Sequence, residues 1–179
     1  MKKLLLATLF TSSLSADSYL QLGVAQMEYT YPFFSDTNLG YNLAYGGEGT
    51  FDNGIYAGMT MYVNMGESAS PSSAPDTERT LGLGIDGKLG YEIFSNFSLY
   101  GILGYTMQGV YNSKESQFYN HTGLGYGAGA TYQINSWLGF DVEYKTYSGL
   151  SFYDNGGTRY GYQGDIDITS LGANLKIFF

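Results

Sequence analysis

Eight ionisable residues of this chain stand on the polar side of stretches in which apolar and polar residues alternate. If those stretches are strands, the eight share one face of a sheet, because successive side chains of a strand point to opposite faces. Five are acids and three are lysines, so they could form a buried network of ion pairs or line a narrow path that prefers cations. The residues are Glu48, Asp86, Lys88, Glu92, Asp141, Glu143, Lys145 and Lys176.

The clearest alternation runs from Leu81 to Ile93. Leucine, isoleucine and tyrosine fall on one side, whereas glycines, Asp86, Lys88 and Glu92 fall on the other. The polar side is too small and too charged to make a protein core. An apolar outside with a polar inside is what a barrel in a lipid bilayer needs, because a closed sheet leaves no backbone group unpaired in hydrocarbon.

Eight stretches follow this pattern, and short and long connectors alternate between them. The pattern blurs in the first stretch, about Tyr19 to Thr30, at Gln26 and Glu28, where a bulge or an early exit from lipid would fit. We predict an all-β, eight-stranded antiparallel up-and-down transmembrane β-barrel with both termini on the side of the short turns. The predicted turns are Asp52-Asn53-Gly54, Ser95-Asn96 and Asn135-Ser136, and the predicted long connectors are residues 32–39, 66–79, 112–121 and 149–165.

Aromatic residues cluster near both ends of the predicted strands, as the interfacial girdles of a membrane barrel would. Phe51, Tyr91, Phe97, Tyr132, Trp137 and Phe179 form the turn-side set, and Tyr29, Tyr41, Tyr105, Tyr126 and Tyr144 form the loop-side set.

Composition excludes several classes of function. No apolar run reaches the roughly 18 residues of a membrane helix. The net charge of −8 makes nucleic acid an unsuitable partner, since binding it requires a basic face. The chain has no cysteine, which excludes disulfides, thiolate metal sites and a thiol nucleophile.

Residues 1–16 have the pattern of a secretory signal, and residues 17–179 form the predicted barrel domain. Lys2 and Lys3 precede a short apolar run, and small residues follow it, so cleavage is expected after Ser15 or Ala16. The apolar run is too short to act as a membrane anchor. Cleavage would leave six basic and 16 acidic residues, a net charge near −10.

The last stretch places alternating apolar residues on one face and ends on an aromatic residue; these are Leu171, Ala173, Leu175, Ile177 and Phe179. In this ending the chain resembles bacterial outer-membrane β-barrel proteins. Its connector pattern resembles their small eight-stranded members of the OmpX, OmpW and OmpA-barrel kinds. The resemblance implies export to the outer membrane, contact with its lipid and lipopolysaccharide, and recognition of the last strand by the assembly machinery.

We expect no catalytic, cofactor or metal site. Some barrels of this kind are lipid hydrolases with an H-x-S pattern, but His121 is followed by Thr122 and Gly123. The glycines at 123, 125, 127 and 129 are spaced by two, unlike a nucleotide-binding loop. The acidic residues of the long connectors do not match a calcium loop.

These observations favour a structural or surface-interaction barrel. We expect Tyr56, Tyr62, Tyr100 and Tyr147 to fill the lumen together with ion pairs of Lys88 with Asp86, Lys145 with Glu143 and Lys176 with Asp141. Aromatic residues in the long loops could bind a host or other extracellular ligand or lipopolysaccharide, or could pack on each other. The alternative is a small channel for ions or small apolar solutes, as the OmpW kind is thought to be.

Overall fold

A computed structural model of the protein describes residues 17–30, 35–69, 77–112, 117–153 and 166–179. They form a closed antiparallel barrel in which each strand pairs with its neighbours in sequence and the first strand also pairs with the last. The predicted all-β up-and-down barrel is confirmed. The strands are β1 (Asp17–Thr30), β2 (Ser35–Thr50), β3 (Ile55–Ala69), β4 (Thr77–Phe94), β5 (Phe97–Asn112), β6 (Gln117–Asn135), β7 (Leu138–Tyr153) and β8 (Ile166–Phe178). The predicted secretory signal lies outside the described residues and stays a prediction.

The two faces of the barrel wall differ as the alternation predicts. In β8, Leu175 and Ile177 are 43% and 38% exposed on the outside, whereas Lys176 between them is fully buried inside. Most large apolar side chains of the other strands are exposed in the same way, and most buried side chains are polar or tyrosine. No helix in the described ranges is long and apolar enough to cross a membrane.

The first strand keeps its pairing throughout. Its ladders with β2 and β8 run without a register shift, so the bulge considered at Gln26 and Glu28 is absent from β1. Both side chains point outward and are exposed. The alternation of apolar and polar residues is therefore lost at Gln26 and Glu28 because the outer face of β1 becomes polar there.

The short turns are built by asparagine and glycine. Gly54 has a φ of 81°, a conformation that glycine adopts without strain. The Asn53 Oδ1 accepts a hydrogen bond of 3.1 Å from the Ile55 amide. In the third turn, Asn135 Oδ1 accepts from the amides of Trp137 and Leu138 at 3.0 and 2.9 Å. That turn is centred on Ser136 and Trp137, one residue later than predicted.

The predicted long connectors are too long, because the strands continue into them. The β2 strand begins at Ser35, β3 continues to Ala69, and β7 continues to Tyr153. The strands have 13 to 19 residues, more than the roughly 9–11 that cross the hydrocarbon. Outside lipid a strand keeps its backbone ladder without an apolar face, so the periodicity disappears before the strand ends.

The assignment of one residue to the loop-side aromatic girdle is wrong. Tyr29 points into the lumen and is 2% exposed. The other loop-side tyrosines, Tyr41, Tyr105, Tyr126 and Tyr144, are exposed on the outer wall.

Candidate functional site: the barrel lumen

Seven of the eight predicted charged residues are buried in the lumen, on inward positions of four strands. They are Glu48 on β2, Asp86 and Lys88 on β4, Asp141, Glu143 and Lys145 on β7, and Lys176 on β8. The eighth, Glu92, is half-exposed near the turn-side end of β4 and lines a cavity at that opening. Among the charged residues whose side chains the structure describes, these seven are the buried ones.

Lys176 joins three strands across the lumen. Its Nζ donates to Glu48 Oε2 at 2.6 Å and to Thr131 Oγ1 at 3.0 Å. It also lies 3.3 Å from Asp141 Oδ2. Because every partner is on a different strand from β8, this lysine links β8 to β2, β6 and β7 near the turn-side end of the barrel.

Glu143 holds the other two lysines. Its Oε1 lies 2.6 Å from Lys88 Nζ, as an ion pair rather than as a well-aligned hydrogen bond, and its Oε2 lies 3.1 Å from Lys145 Nζ. Lys88 also lies 3.8 Å from Asp141 Oδ2, and Lys145 donates to Asp86 Oδ2 at 2.9 Å. All three lysines and four acids thus form one connected network.

The pairing within this network differs from the predicted one in a single respect. Lys145 meets Glu143, and Lys176 meets Asp141, but Lys88 does not pair with Asp86. A lysine side chain is long enough to reach across a narrow barrel, so its closest acid need not lie on its own strand. Lys88 therefore crosses to β7, and Asp86 receives Lys145 from there.

Tyrosines complete the network on its acidic side. The Tyr56 hydroxyl donates to Glu48 Oε2 at 2.6 Å. The Tyr100 hydroxyl donates to Asp141 Oδ2 at 2.6 Å and to Glu143 Oε1 at 3.2 Å. The two rings stack with centroids 5.3 Å apart. These hydroxyls donate to the same carboxylate oxygens that the lysines contact, so each of these oxygens has two or more partners.

Tyr19 is a lumen residue that sequence reasoning missed. It is fully buried, its hydroxyl is hydrogen-bonded to Thr60 Oγ1, and its ring lies 4.7 Å from Lys176 Nζ and 5.9 Å from Lys88 Nζ. A cation over an aromatic face is attracted by the ring. The outward position of Leu20 was the signal that could have placed Tyr19 inside.

Two further tyrosines meet nearer the loop side. The hydroxyls of Tyr62 on β3 and Tyr147 on β7 are hydrogen-bonded at 2.7 Å. The Lys145 Nζ lies 4.5 Å from the Tyr62 ring centroid. The pair spans the lumen above the charge network.

Five neutral carboxamides are also buried in the lumen, and sequence reasoning did not single them out. Each has a buried oxygen with no hydrogen-bond partner among the described residues. Glycines face two of them: a Cβ at Gly23 would lie 2.0 Å from Asn174 Oδ1, and one at Gly82 would lie 2.3 Å from Gln108 Nε2. The carboxamides are Gln21, Asn42, Asn64, Gln108 and Asn174.

Two openings are described, one at the turn side and one on the outer wall. A cavity of about 220 Å³ at the turn side is lined by residues that include Asp17, Glu48, Glu92 and Phe178. A hollow of about 270 Å³ on the outer wall is lined by residues that include Tyr45, Gly47 and Met59. Within the described ranges, no group of three or more histidine, cysteine or acidic residues is arranged to hold a metal ion.

The last strand presents the predicted apolar face to the outside. Leu171, Leu175, Ile177 and Phe179 are exposed and Ala173 is half-exposed. The Phe179 amide donates to the Ser18 carbonyl at 3.0 Å, and its ring stacks on Tyr45 with centroids 6.4 Å apart. The end of the chain is thus part of the barrel wall.

Comparison with protein families gives one match over nearly the whole chain. The model of the outer membrane protein beta-barrel domain matches residues 4–179. No curated protein sequence matches.

Solved structures of bacterial proteins share the fold. Neisserial surface protein A (NspA) has a TM-score of 0.65 at 15% identity, over 92% of this chain and 99% of that chain. Ail, the attachment invasion locus protein of Yersinia pestis, has a TM-score of 0.57 at 20% identity, over 92% and 99%. A major outer membrane protein from Thermus thermophilus has a TM-score of 0.60 at 14% identity, over 92% and 100%.

Proposed function

This chain belongs to the outer membrane protein β-barrel domain family, and we propose that it serves there as a structural and surface-contact barrel with a lumen closed by side chains. The observation that carries this proposal is the network of three lysines, four acids and two tyrosines that crosses the lumen. An eight-stranded barrel has an interior just wide enough for side chains to fill. Ions would have to break several buried ion pairs to pass.

The surface-contact role is supported by the loop-side ends of the strands. Gln26 and Glu28 on β1 point outward there, next to outward-facing Thr37 on β2 and close to Asp167 on β8. Polar outward side chains do not suit hydrocarbon. We infer that the wall continues beyond the lipid and carries the loops above the membrane.

The charge of the chain narrows the choice of contact partner. Ail has been solved in complex with the heparin analogue sucrose octasulfate, which is a polyanion. The present chain has a net charge of −8, which disfavours polyanions. We propose that its loops contact a neutral or cationic extracellular ligand, or lipopolysaccharide with bridging cations.

In this proposal, the first residues of the chain direct its export and the last strand directs its assembly into the membrane. Residues 1–16 would direct secretion and be removed. The apolar outer face that runs from Leu171 to Phe179 would be the strand that the assembly machinery recognises. No enzymatic role is proposed.

Single cysteines test the orientation and the extent of the lipid-facing wall, since the chain has none of its own. A membrane-impermeant maleimide applied to intact cells should label Glu28→Cys on the loop side. It should label Asp52→Cys only after the outer membrane is permeabilised, because Asp52 lies in a short turn. Leu22→Cys, outward on the same strand as Glu28, should stay protected by lipid in both cases.

Labelling of Asp52→Cys on intact cells would reverse the proposed orientation. Labelling of Leu22→Cys as fast as Glu28→Cys would contradict a lipid-facing wall at that height. Closure of the lumen is tested separately with liposomes that contain the barrel. Potassium and small sugars should be retained as in liposomes without protein, whereas rapid efflux would support the channel alternative.

A further inference from the structure

The hollow on the outer wall lies near the turn-side end of the barrel. Ser18 of β1 and Gly47 of β2 pair with each other and both face outward, so two small residues lie side by side there. Gly47 also pairs with Met59 of β3, and the Phe179 amide donates to the Ser18 carbonyl. Large side chains therefore flank the small pair on both sides, and Tyr45 bounds it toward the loops.

The barrel itself does not require glycine at position 47. The φ of Gly47 lies outside the left-handed region, and a Cβ there would meet only the Asp17 carbonyl oxygen, at 3.9 Å. The inward Gly23 differs, because a Cβ there would lie 2.0 Å from Asn174 Oδ1. A strand glycine without a packing reason marks a place where another molecule can approach closely. Gly47 thus keeps open a hollow of about 270 Å³.

The lining of the hollow suits a hydrocarbon chain. Besides Ser18 and two glycines it consists of Tyr45, Met59 and Met61, whose side chains are about half exposed on the outer wall. Methionine is flexible and polarisable, so it adapts to an irregular apolar guest. The hollow opens onto the wall that faces hydrocarbon, and its volume far exceeds the roughly 30 Å³ of one water. In a bilayer, an acyl chain is the group that can fill it.

The depth of the hollow places the headgroup of such a lipid at the turn between β2 and β3. Gly47 precedes the end of β2 at Thr50 by three residues, which is roughly 10 Å of strand at about 3.3 Å per residue. Asp52 follows in the turn and is exposed. A chain that lies along Gly47 and Met59 therefore brings its headgroup close to the Asp52 carboxylate.

The charges at this end of the barrel select the kind of headgroup. Among the described side chains at the turn-side ends of the strands, the charged ones outside the buried network are Asp17, Asp52 and Glu92, and all are acids. The Glu92 amide donates to the Gly54 carbonyl at 2.8 Å, so Glu92 also lies beside this turn. These acids repel an anionic phospholipid or lipopolysaccharide and attract an ammonium group.

We propose that the hollow binds one acyl chain of a phospholipid with an ammonium headgroup, such as phosphatidylethanolamine, and that the ammonium pairs with Asp52. The lipid belongs to the leaflet on the turn side and is held more firmly than the lipids around the rest of the wall. This site concerns the outer wall alone. Its test is therefore separate from the test of whether the lumen is closed.

Native mass spectrometry of the mature barrel in detergent measures the bound lipid. The protein is incubated with equal amounts of phosphatidylethanolamine and phosphatidylglycerol that carry identical chains, and collisional activation then removes detergent and loosely held lipid. We expect one phosphatidylethanolamine to stay bound at energies that remove phosphatidylglycerol. A lipid layer without a specific site would lose both lipids together.

Variants locate the site. Gly47→Leu fills the hollow and should abolish retention of the lipid. Gly101→Leu is the matched control, because Gly101 also faces outward and a Cβ there would meet only backbone oxygens at 3.8 and 4.0 Å. It should retain the lipid as the wild type does. Asp52→Asn leaves the hollow intact and should lower the preference for phosphatidylethanolamine by up to about fivefold, since the ion pair is exposed.

Crosslinking with a photoactivatable acyl chain gives a second measurement, and the crosslinks should fall on Tyr45, Met59 or Met61. Loss of both lipids together from the wild type would overturn the proposal, as would retention that survives in Gly47→Leu. Retention that depends on Gly47 but is equal for the two headgroups would overturn the choice of an ammonium lipid. If Gly47→Leu does not fold, crosslinks confined to strands other than β1, β2 and β3 would overturn the location.

Discussion

Two groups of polar side chains share the lumen, and they are satisfied in different ways. In the charge network every lysine contacts at least one carboxylate within 3 Å, and tyrosine hydroxyls donate to the same carboxylates. The carboxamides of Gln21, Asn42, Asn64, Gln108 and Asn174 instead keep oxygens without a partner. Both groups are buried to a similar degree. Burial alone therefore does not tell which polar residues hold the barrel together.

This difference predicts how much stability the barrel should lose when a side chain of either group is removed. Removing one member of a buried ion pair leaves its partner charged and unpaired, which is strongly destabilising. Replacing a carboxamide that already lacks a partner removes an unsatisfied group, which costs little. We therefore expect the stability of the barrel to depend on the charge network far more than on the carboxamides.

The largest expected effect comes from Lys176→Met. This substitution removes the ammonium group that Glu48 pairs with and leaves Asp141 only Lys88, at 3.8 Å. It should lower the free energy of unfolding by about 3–5 kcal/mol. Urea unfolding in lipid bilayers measures the change. Arg79→Met, an exposed position of β4, is the matched control and should change the free energy little. Equal effects at the two positions would remove the distinction between the network and the surface.

The second largest loss of stability should come from a charge placed on the lipid-facing side of the barrel wall. Leu103 is 68% exposed on the lipid side of β5, and Leu103→Arg should destabilise by about 2–4 kcal/mol if it lies near the bilayer midplane. Gln26→Arg is the control, because Gln26 lies outward where the wall becomes polar. The same unfolding assay should give a much smaller loss there. A negligible loss at Leu103 would mean that this face does not meet lipid.

A neutral pair in the lumen should give an intermediate effect. Tyr62→Phe leaves the Tyr147 hydroxyl buried without its partner, so we expect a loss of about 1–3 kcal/mol. The double variant with Tyr147→Phe should lose less than the sum of the two single losses. Strict additivity in this double-mutant cycle would show that the two hydroxyls do not interact.

The smallest effect is expected at a carboxamide of the lumen. Asn64→Leu replaces an unpaired oxygen by an apolar group of similar size and should change the free energy of unfolding by no more than about 1 kcal/mol, in either direction. A loss as large as that of Lys176→Met would show that the carboxamides also hold the barrel together.

The fold could be predicted because lipid imposes one rule on every strand. Apolar residues must face outward at every second position, so residues such as Leu83 and Leu175 reveal both the strands and their inner face. Strand ends could not be predicted, since β3 and β7 continue into water where that rule no longer applies. The partner of Lys88 was also beyond sequence reasoning, because it depends on which side chains meet across the closed barrel. Tyr19 and the carboxamides obey the same alternation and could have been found from it.

Closure of the lumen is the central claim, and single-channel recordings in planar bilayers test it most directly. The wild-type barrel should give no stable, discrete openings, because Lys88, Lys176 and their acidic partners block the path. Lys176→Met should reduce stability without creating a large conductance. Stable, cation-selective openings of the wild type, altered in amplitude or selectivity by Lys88→Met or Asp141→Asn, would contradict the claim and establish the channel alternative.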